Sequence, residues 1–151
     1  MRKIHCELVP PTASGRLYPK YDLEAEILSF NSEQEKEWPL GVDIDGNVIF
    51  DLDENFRVGM IDLLIGRARW KKQSLKWPAV LMDHDLVLKE ESVVEKSFSL
   101  PVSVCFDPHA KIVRVDFPSL EIGEHISLSD FAIASLSSSG ELASLWARDV
   151  F

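Results

Sequence analysis

The chain has 151 residues, enough for one compact domain or two small packed ones, and 46% hydrophobic residues supply material for a real core. No run approaches the ~18 consecutive apolar residues of a membrane span, and no apolar stretch follows Arg2 and Lys3 as it would in a leader, so a cytoplasmic protein without a membrane partner is expected. Net charge is −9 and uneven: residues 22–62 hold twelve acids against Lys36 and Arg57, while the remainder is close to neutral, a polarity that argues against a nucleic-acid partner.

In chain order, residues 1–20 form a lead-in broken at Pro10-Pro11 and turned at Ser14-Gly15. Tyr21-Asp22 then opens an apolar stretch through Phe30, and the same aromatic–Asp start, followed by Ala and an apolar run, recurs 85 residues later at Phe106-Asp107. The acidic stretch Asn31–Trp38 is helix-tolerant and predicts one short surface helix. Asp43-Ile44-Asp45-Gly46-Asn47 reads as a turn between strands, with Gly46 and Asn47 supplying positive φ. Val48–Phe50 and Val58–Leu64 flank the polar Asp51–Asn55, which predicts a hairpin.

The connector 66–97 mixes signals: Pro78–Leu88 reads as a strand kinked at Asp83-His84-Asp85, and Glu90–Lys96 as a helical turn. Beyond it, Phe98, Leu100, Val102, Val104 and Phe106 alternate with small or polar residues, as do Val113, Val115 and Phe117, the period-two pattern of strands with one buried face. Asp107-Pro108-His109-Ala110 suits a type I turn between them. Phe131–Leu136 and Leu142–Trp146 flank Ser137–Gly140, and within them Ala132–Leu136 and Leu142–Leu145 match Val48–Leu52 and Val58–Ile61 at an offset of 84. The expected fold is mainly β: one domain over residues 1–151, made of two repeated four-stranded antiparallel meanders (about 17–65 and 98–151), each too small to hide its apolar face alone.

The stretch Ile49-Phe50-Asp51-Leu52-Asp53-Glu54-Asn55-Phe56-Arg57-Val58-Gly59-Met60-Ile61, together with the aromatic–Asp motif, resembles the YuzE-like proteins, a small family of unknown function. This chain departs from that pattern at Phe56, where the family usually has glycine, and at Asp62, where it usually has glutamate. The resemblance covers about half the chain; it implies a duplicated β fold with a diverged second copy, and no activity.

The chemistry-bearing residues point away from catalysis. Cys6 and Cys105 stand outside any CxxC pair and read as buried or idle thiols, and Ser137–Gly140 lacks the strand-to-helix elbow of a hydrolase. Asp51, Asp53, Asn55 and Asp62 fit positions 1, 3, 5 and 12 of a calcium loop, but Phe56 takes the sixth, where glycine makes the sharp turn. His84 between two aspartates reads as structural, and His109 and His125 as solvated turn and loop residues. No cofactor, metal or catalytic residue is therefore assigned.

Twelve carboxylates on one small unit exceed what solubility needs and suit capture of a basic protein. The expected role is a non-enzymatic binding protein, most concretely a cytoplasmic immunity protein that neutralises a basic nuclease-type toxin, with Asp43, Asp45, Asp51, Asp53 and Glu54 as phosphate mimics. A second reading is a regulatory or antitoxin-like nucleic-acid binder working through Arg67, Arg69, Trp70, Lys71, Lys72 and Trp77, where aromatics would stack bases and cations hold phosphates. In the competing structural reading those bases pair with the acidic unit and the tryptophans fill the core. A third reading is a small enzyme or ligand pocket at the seam between the copies.

Overall fold

The computed structural model describes residues 3–80, 82–118 and 121–151. A lead-in strand, β1 (Cys6–Val9), precedes the first unit: β2 (Tyr18–Asp22), β3 (Ile27–Asn31), β4 (Leu40–Ile44), β5 (Val48–Leu52) and β6 (Val58–Leu63). The connector supplies β7 (Lys71–Lys72), β8 (Asp85–Leu88), the short helix α1 (Glu90–Glu95) and β9 (Ser97–Phe98). The second unit is β10 (Ser103–Asp107), β11 (Ile112–Asp116), β12 (Glu124–Ser129), β13 (Ala132–Leu136) and β14 (Leu142–Arg148). The fold is mainly β, as the alternating pattern requires.

Each unit has five strands and is not a four-stranded meander. The first sheet runs β2-β3-β6-β5-β4 and the second β10-β11-β14-β13-β12, with β9 added parallel to β4 and β7 parallel to β10. The second strand of each unit pairs with the fifth and not with the third. Registers correspond as well. Phe50 faces Ile61 and Ala134 faces Leu145, and each strand pair carries an irregularity at the next step, at Asp51/Leu52 and Ser135/Leu136.

The turns correspond because the same backbone demands recur. Asp22 Oδ1 accepts from the amides of Glu24 and Ala25, and Asp107 Oδ1 from those of His109 and Ala110. Such Asx bonds stabilise a turn without a partner strand. In the later hairpins, Phe56 (φ 68°) and Gly140 (φ 82°) both adopt the left-handed conformation. Phe56 therefore takes a backbone shape that its side chain disfavours by about 1–2 kcal/mol.

Inward residues of both sheets, among them Phe30, Phe50, Ile61, Val113, Leu128 and Leu145, join one continuous hydrophobic core. A two-stranded ribbon of β1 and β8 ties the units together: the Cys6 amide donates to Gly140 O (2.9 Å) and the Leu88 amide to Phe56 O (3.0 Å). Cys6 and Cys105 are free and buried, and burial pushes the Cys6 thiol up to about 12.

Four local expectations need correction. Residues 32–39 form no helix, because Lys36 reaches Asp53 (2.8 Å) and the Trp38 ring covers Gly59 so closely that a Cβ there would overlap it. These tertiary contacts outweigh the weak helix preference of a short acidic run. Residues 40–44 are strand, and positive φ falls on Asp45 (53°) and Gly46 (69°), not Asn47. His125 lies on β12, half-buried, with Nδ1 2.6 Å from Ser135 Oγ, and burial lowers its pKa. Of the strand expected over Pro78–Leu88 only Asp85–Leu88 forms within a sheet, and Leu81 lies outside the described residues. The helical turn expected at Glu90–Lys96 is α1.

Candidate binding face

Alternation along β3–β6 turns Leu28, Phe30, Val42, Phe50 and Ile61 inward, and so turns Ser29, Asp43, Ile49, Asp51 and Asp62 to the other face. Cross-strand pairing sets Ile49 between Asp43 on β4 and Asp62 on β6, with Asp51 two residues along its own strand. Neighbours of this kind stand roughly 5–8 Å apart. Three carboxylates thus surround one aliphatic side chain on a face where Ile49, Asp51 and Asp62 stay partly exposed and Asp43 is exposed.

The carboxylates differ in their local support. Ser29 Oγ donates to Asp62 (2.6 Å), and the Gly46 amide donates to Asp43 (2.7 Å). Among the described residues Asp51 has neither aid: partial burial, then the charge of Asp62, raises its pKa above the ordinary aspartate value. Asp45 and Glu54 are exposed at opposite ends of β5, in the turns that precede and follow it.

Asp53 is withdrawn from this set. It is fully buried, its Oδ1 accepts from the Asn55 and Arg57 amides, and its Oδ2 accepts from Lys36 Nζ (2.8 Å). Burial alone would raise its pKa; the Lys36 bond and the two backbone amides outweigh it and hold the pKa below the ordinary value. Its carboxylate is used inside the protein. Among the described residues no three His, Cys, Asp or Glu side chains are placed to share a metal ion, so the calcium-loop spacing does not gather its ligands.

Arg57 continues the network, its Nε donating to the fully buried Asp85 (2.9 Å) while Nη1 lies 3.8 Å from Asp53. Arg16 Nη2 stands 3.6 Å from the other Asp85 oxygen and donates to His84 O (2.6 Å). Sequence reading missed this network, since its members lie up to 69 residues apart. The one available signal was the unusual placing of Arg57 within an acidic segment.

The connector divides the second candidate set. Trp70 is buried and its indole N–H donates to Ile65 O (2.8 Å), so it cannot stack on a base. Trp77 leans edge-on to Trp146, and Leu75 packs with Cys105, Ile112, Ile133 and Trp146 on the outer face of the second sheet. The segment thereby straps over the face that corresponds to the carboxylate face of the first sheet. Arg67, Arg69, Lys71 and Lys72 are exposed, and among the described residues none forms an ion pair, so they do not neutralise the acidic unit.

Fold and face together define a β protein of two corresponding sheets, one strapped by its own chain and the other presenting carboxylates. Compared with known proteins, the chain matches no family model and no curated sequence.

Proposed function

We propose that the protein is a non-enzymatic binding protein that engages a basic protein partner through the outer face of its first sheet. The observation that carries this reading is the ring of Asp43, Asp51 and Asp62 around Ile49. Asp51 is held there with a raised pKa and no donor of its own, an arrangement that folding alone does not favour. A cationic side chain placed among these groups relieves their mutual repulsion, and Ile49 supplies an apolar contact at the centre of the face. Asp45 and Glu54 extend the negative field past both ends of β5 and steer approach.

The specific form of the proposal is a cytoplasmic immunity protein, the carboxylates standing in for the phosphates that a nuclease-type toxin binds. The resemblance to YuzE-like proteins belongs to this proposal as a reading of the fold's ancestry. The test co-expresses the protein with the product of the neighbouring reading frame and measures survival and complex formation. Asp51→Lys with Asp62→Lys is expected to weaken the complex by at least 100-fold while the protein stays folded. A harmless neighbour with no complex, or a complex indifferent to the double reversal, removes the reading.

The exposed Arg69, Lys71 and Lys72, which form no ion pair among the described residues, favour a second reading as a phosphate-contacting surface. With Trp70 buried, that surface would hold nucleic acid through charge and not through stacking. Lys71→Glu with Lys72→Glu separates the two readings, because it abolishes nucleic-acid binding and spares the toxin complex.

A further inference from the structure

Four aromatic rings from separate parts of the chain gather around one cation. Tyr21 and Phe106, the aromatic residues of the two aromatic–Asp motifs, lie near Trp70 of the connector, with ring centroids 5.6 Å and 5.7 Å from it. Phe151 completes the group, 5.3 Å from Tyr21 and 5.8 Å from Trp70. The guanidinium of Arg67 sits over them, its central carbon 4.7 Å from the Phe151 centroid, 5.8 Å from Tyr21 and 6.0 Å from both Trp70 and Phe106. Attraction between a cation and ring faces acts within about 6 Å.

Two features separate this cup from an ordinary aromatic cluster capped by an arginine. Among the described residues Arg67 makes no ion pair and no side-chain hydrogen bond, so the rings alone hold an exposed cation. Among the described residues the buried Tyr21 hydroxyl also makes no hydrogen bond, leaving a polar atom unsatisfied on a ring whose centroid is 5.8 Å from the guanidinium carbon. A buried unpaired hydroxyl costs about 1–3 kcal/mol and favours any ligand that supplies a donor. Glu26 and Asp22 act electrostatically on that hydroxyl, and the Glu26 carboxylate lies beside Gly66, so the rim is anionic.

We propose that this cup is a binding site for an alkylguanidinium group, the side chain of arginine, with Arg67 as its resident and displaceable occupant. The four rings accept the planar cation, the unsatisfied Tyr21 oxygen is available to one N–H, and Asp22 and Glu26 supply the negative field. Displacement is inexpensive because Arg67 gives up only ring contacts and returns to water, where its N–H groups are solvated. The site is separate from the carboxylate face and stands whether or not that face docks a partner.

The test removes the internal competitor. Arg67→Gln keeps the stem and deletes the charge, and its fold is checked by the dispersion of its amide spectrum; Arg67→Ala serves as the second variant. Ethylguanidinium is titrated while the Trp70 indole N–H resonance is followed. Saturable binding to the variant, at least tenfold tighter than to the unaltered protein and lost when Phe151→Ala is added, is the expected result. N-acetyl-arginine amide and free arginine are titrated in parallel: tighter binding of the amide marks a peptide source, and tighter binding of the free amino acid marks a metabolite. The proposal is overturned by no saturable response in either variant, by a response to neutral urea equal to that to ethylguanidinium, or by binding that ignores Phe151→Ala.

Discussion

At the residue scale, the buried Asp85 carboxylate is tolerated because several donors converge on it, and one of its neighbours must be glycine. The Thr12 amide donates to it (3.1 Å), as do the Thr12 hydroxyl and Arg57 Nε, and a Cβ on Gly15 would overlap its carboxylate carbon. Gly15→Ala must therefore displace Asp85 from its partners, leaving a buried charge less well paired. The expected loss is about 2–4 kcal/mol of unfolding free energy, seen as a lower urea midpoint. Gly46→Ala is the contrasting case: nothing lies within 4 Å of its Cβ, so only its φ of 69° is penalised, by about 1 kcal/mol. Equal losses in the two variants would show that Asp85 has room to move. Neither effect was legible in the sequence, where Gly15 read as a turn residue and Asp85 as the flank of a histidine.

At the element scale, two aspartates separated by one residue titrate in opposite senses. Asp53 has a lowered folded pKa, so its ionised form stabilises the fold above its unfolded value of about 3.9. That contribution disappears as the pH falls through the lower folded value. Asp51 has a raised folded pKa, so at neutral pH its charge subtracts from stability, and protonation relieves the cost. Asp53→Asn is expected to lower the urea midpoint at pH 7, with the gap closing near pH 2. Asp51→Asn is expected to raise it at pH 7, with the gain vanishing below about pH 4. A destabilised Asp51→Asn would contradict the idea that this face keeps its charge for binding. The hairpin strands β5 and β6 were legible because alternation and a polar turn coincide there. β4 and β12 were not, since Asp43–Asn47 is dense in turn formers and Glu124-His125 resembles a loop, and tertiary pairing decided both. The strap is fixed to the second sheet by the β7–β10 pairing, the Gln73 amide on Phe106 O (3.0 Å) and the Leu75 amide on Asp107 Oδ2 (3.0 Å). Asp107→Ala should speed amide exchange at Leu75, His109 and Ala110, whereas Asp22→Ala should affect Glu24 and Ala25 alone.

At the scale of the whole molecule, the polarity of charge was visible in the sequence, while its consequence depended on which faces the chain covers itself. The acidic segment and the basic connector looked complementary, yet the connector crosses the other sheet, where Leu75 and Trp77 find apolar partners, and leaves the carboxylates unneutralised. The units are joined by three independent means: the shared core, the β1–β8 ribbon on the turns at Phe56 and Gly140, and the seam filled by Trp70. A unit separated from the other would expose the inward faces of Phe50 and Phe117, which now lie 6.4 Å apart across the core. Each such aromatic side chain loses roughly 1.5–3 kcal/mol on exposure, so a half-folded state with several of them bare is strongly disfavoured. The protein is therefore expected to unfold in one transition. Two variants, one retaining only Trp38 in the first unit and one retaining only Trp146 in the second, should give the same urea midpoint and the same slope by fluorescence, after correction for the cost of the removed tryptophans measured by circular dichroism on each variant. Midpoints that differ between fluorescence and circular dichroism within one variant would mean that the two sheets come apart before they unfold. In that event the Trp70 seam, and with it the ring cup around Arg67, would form only in the assembled pair.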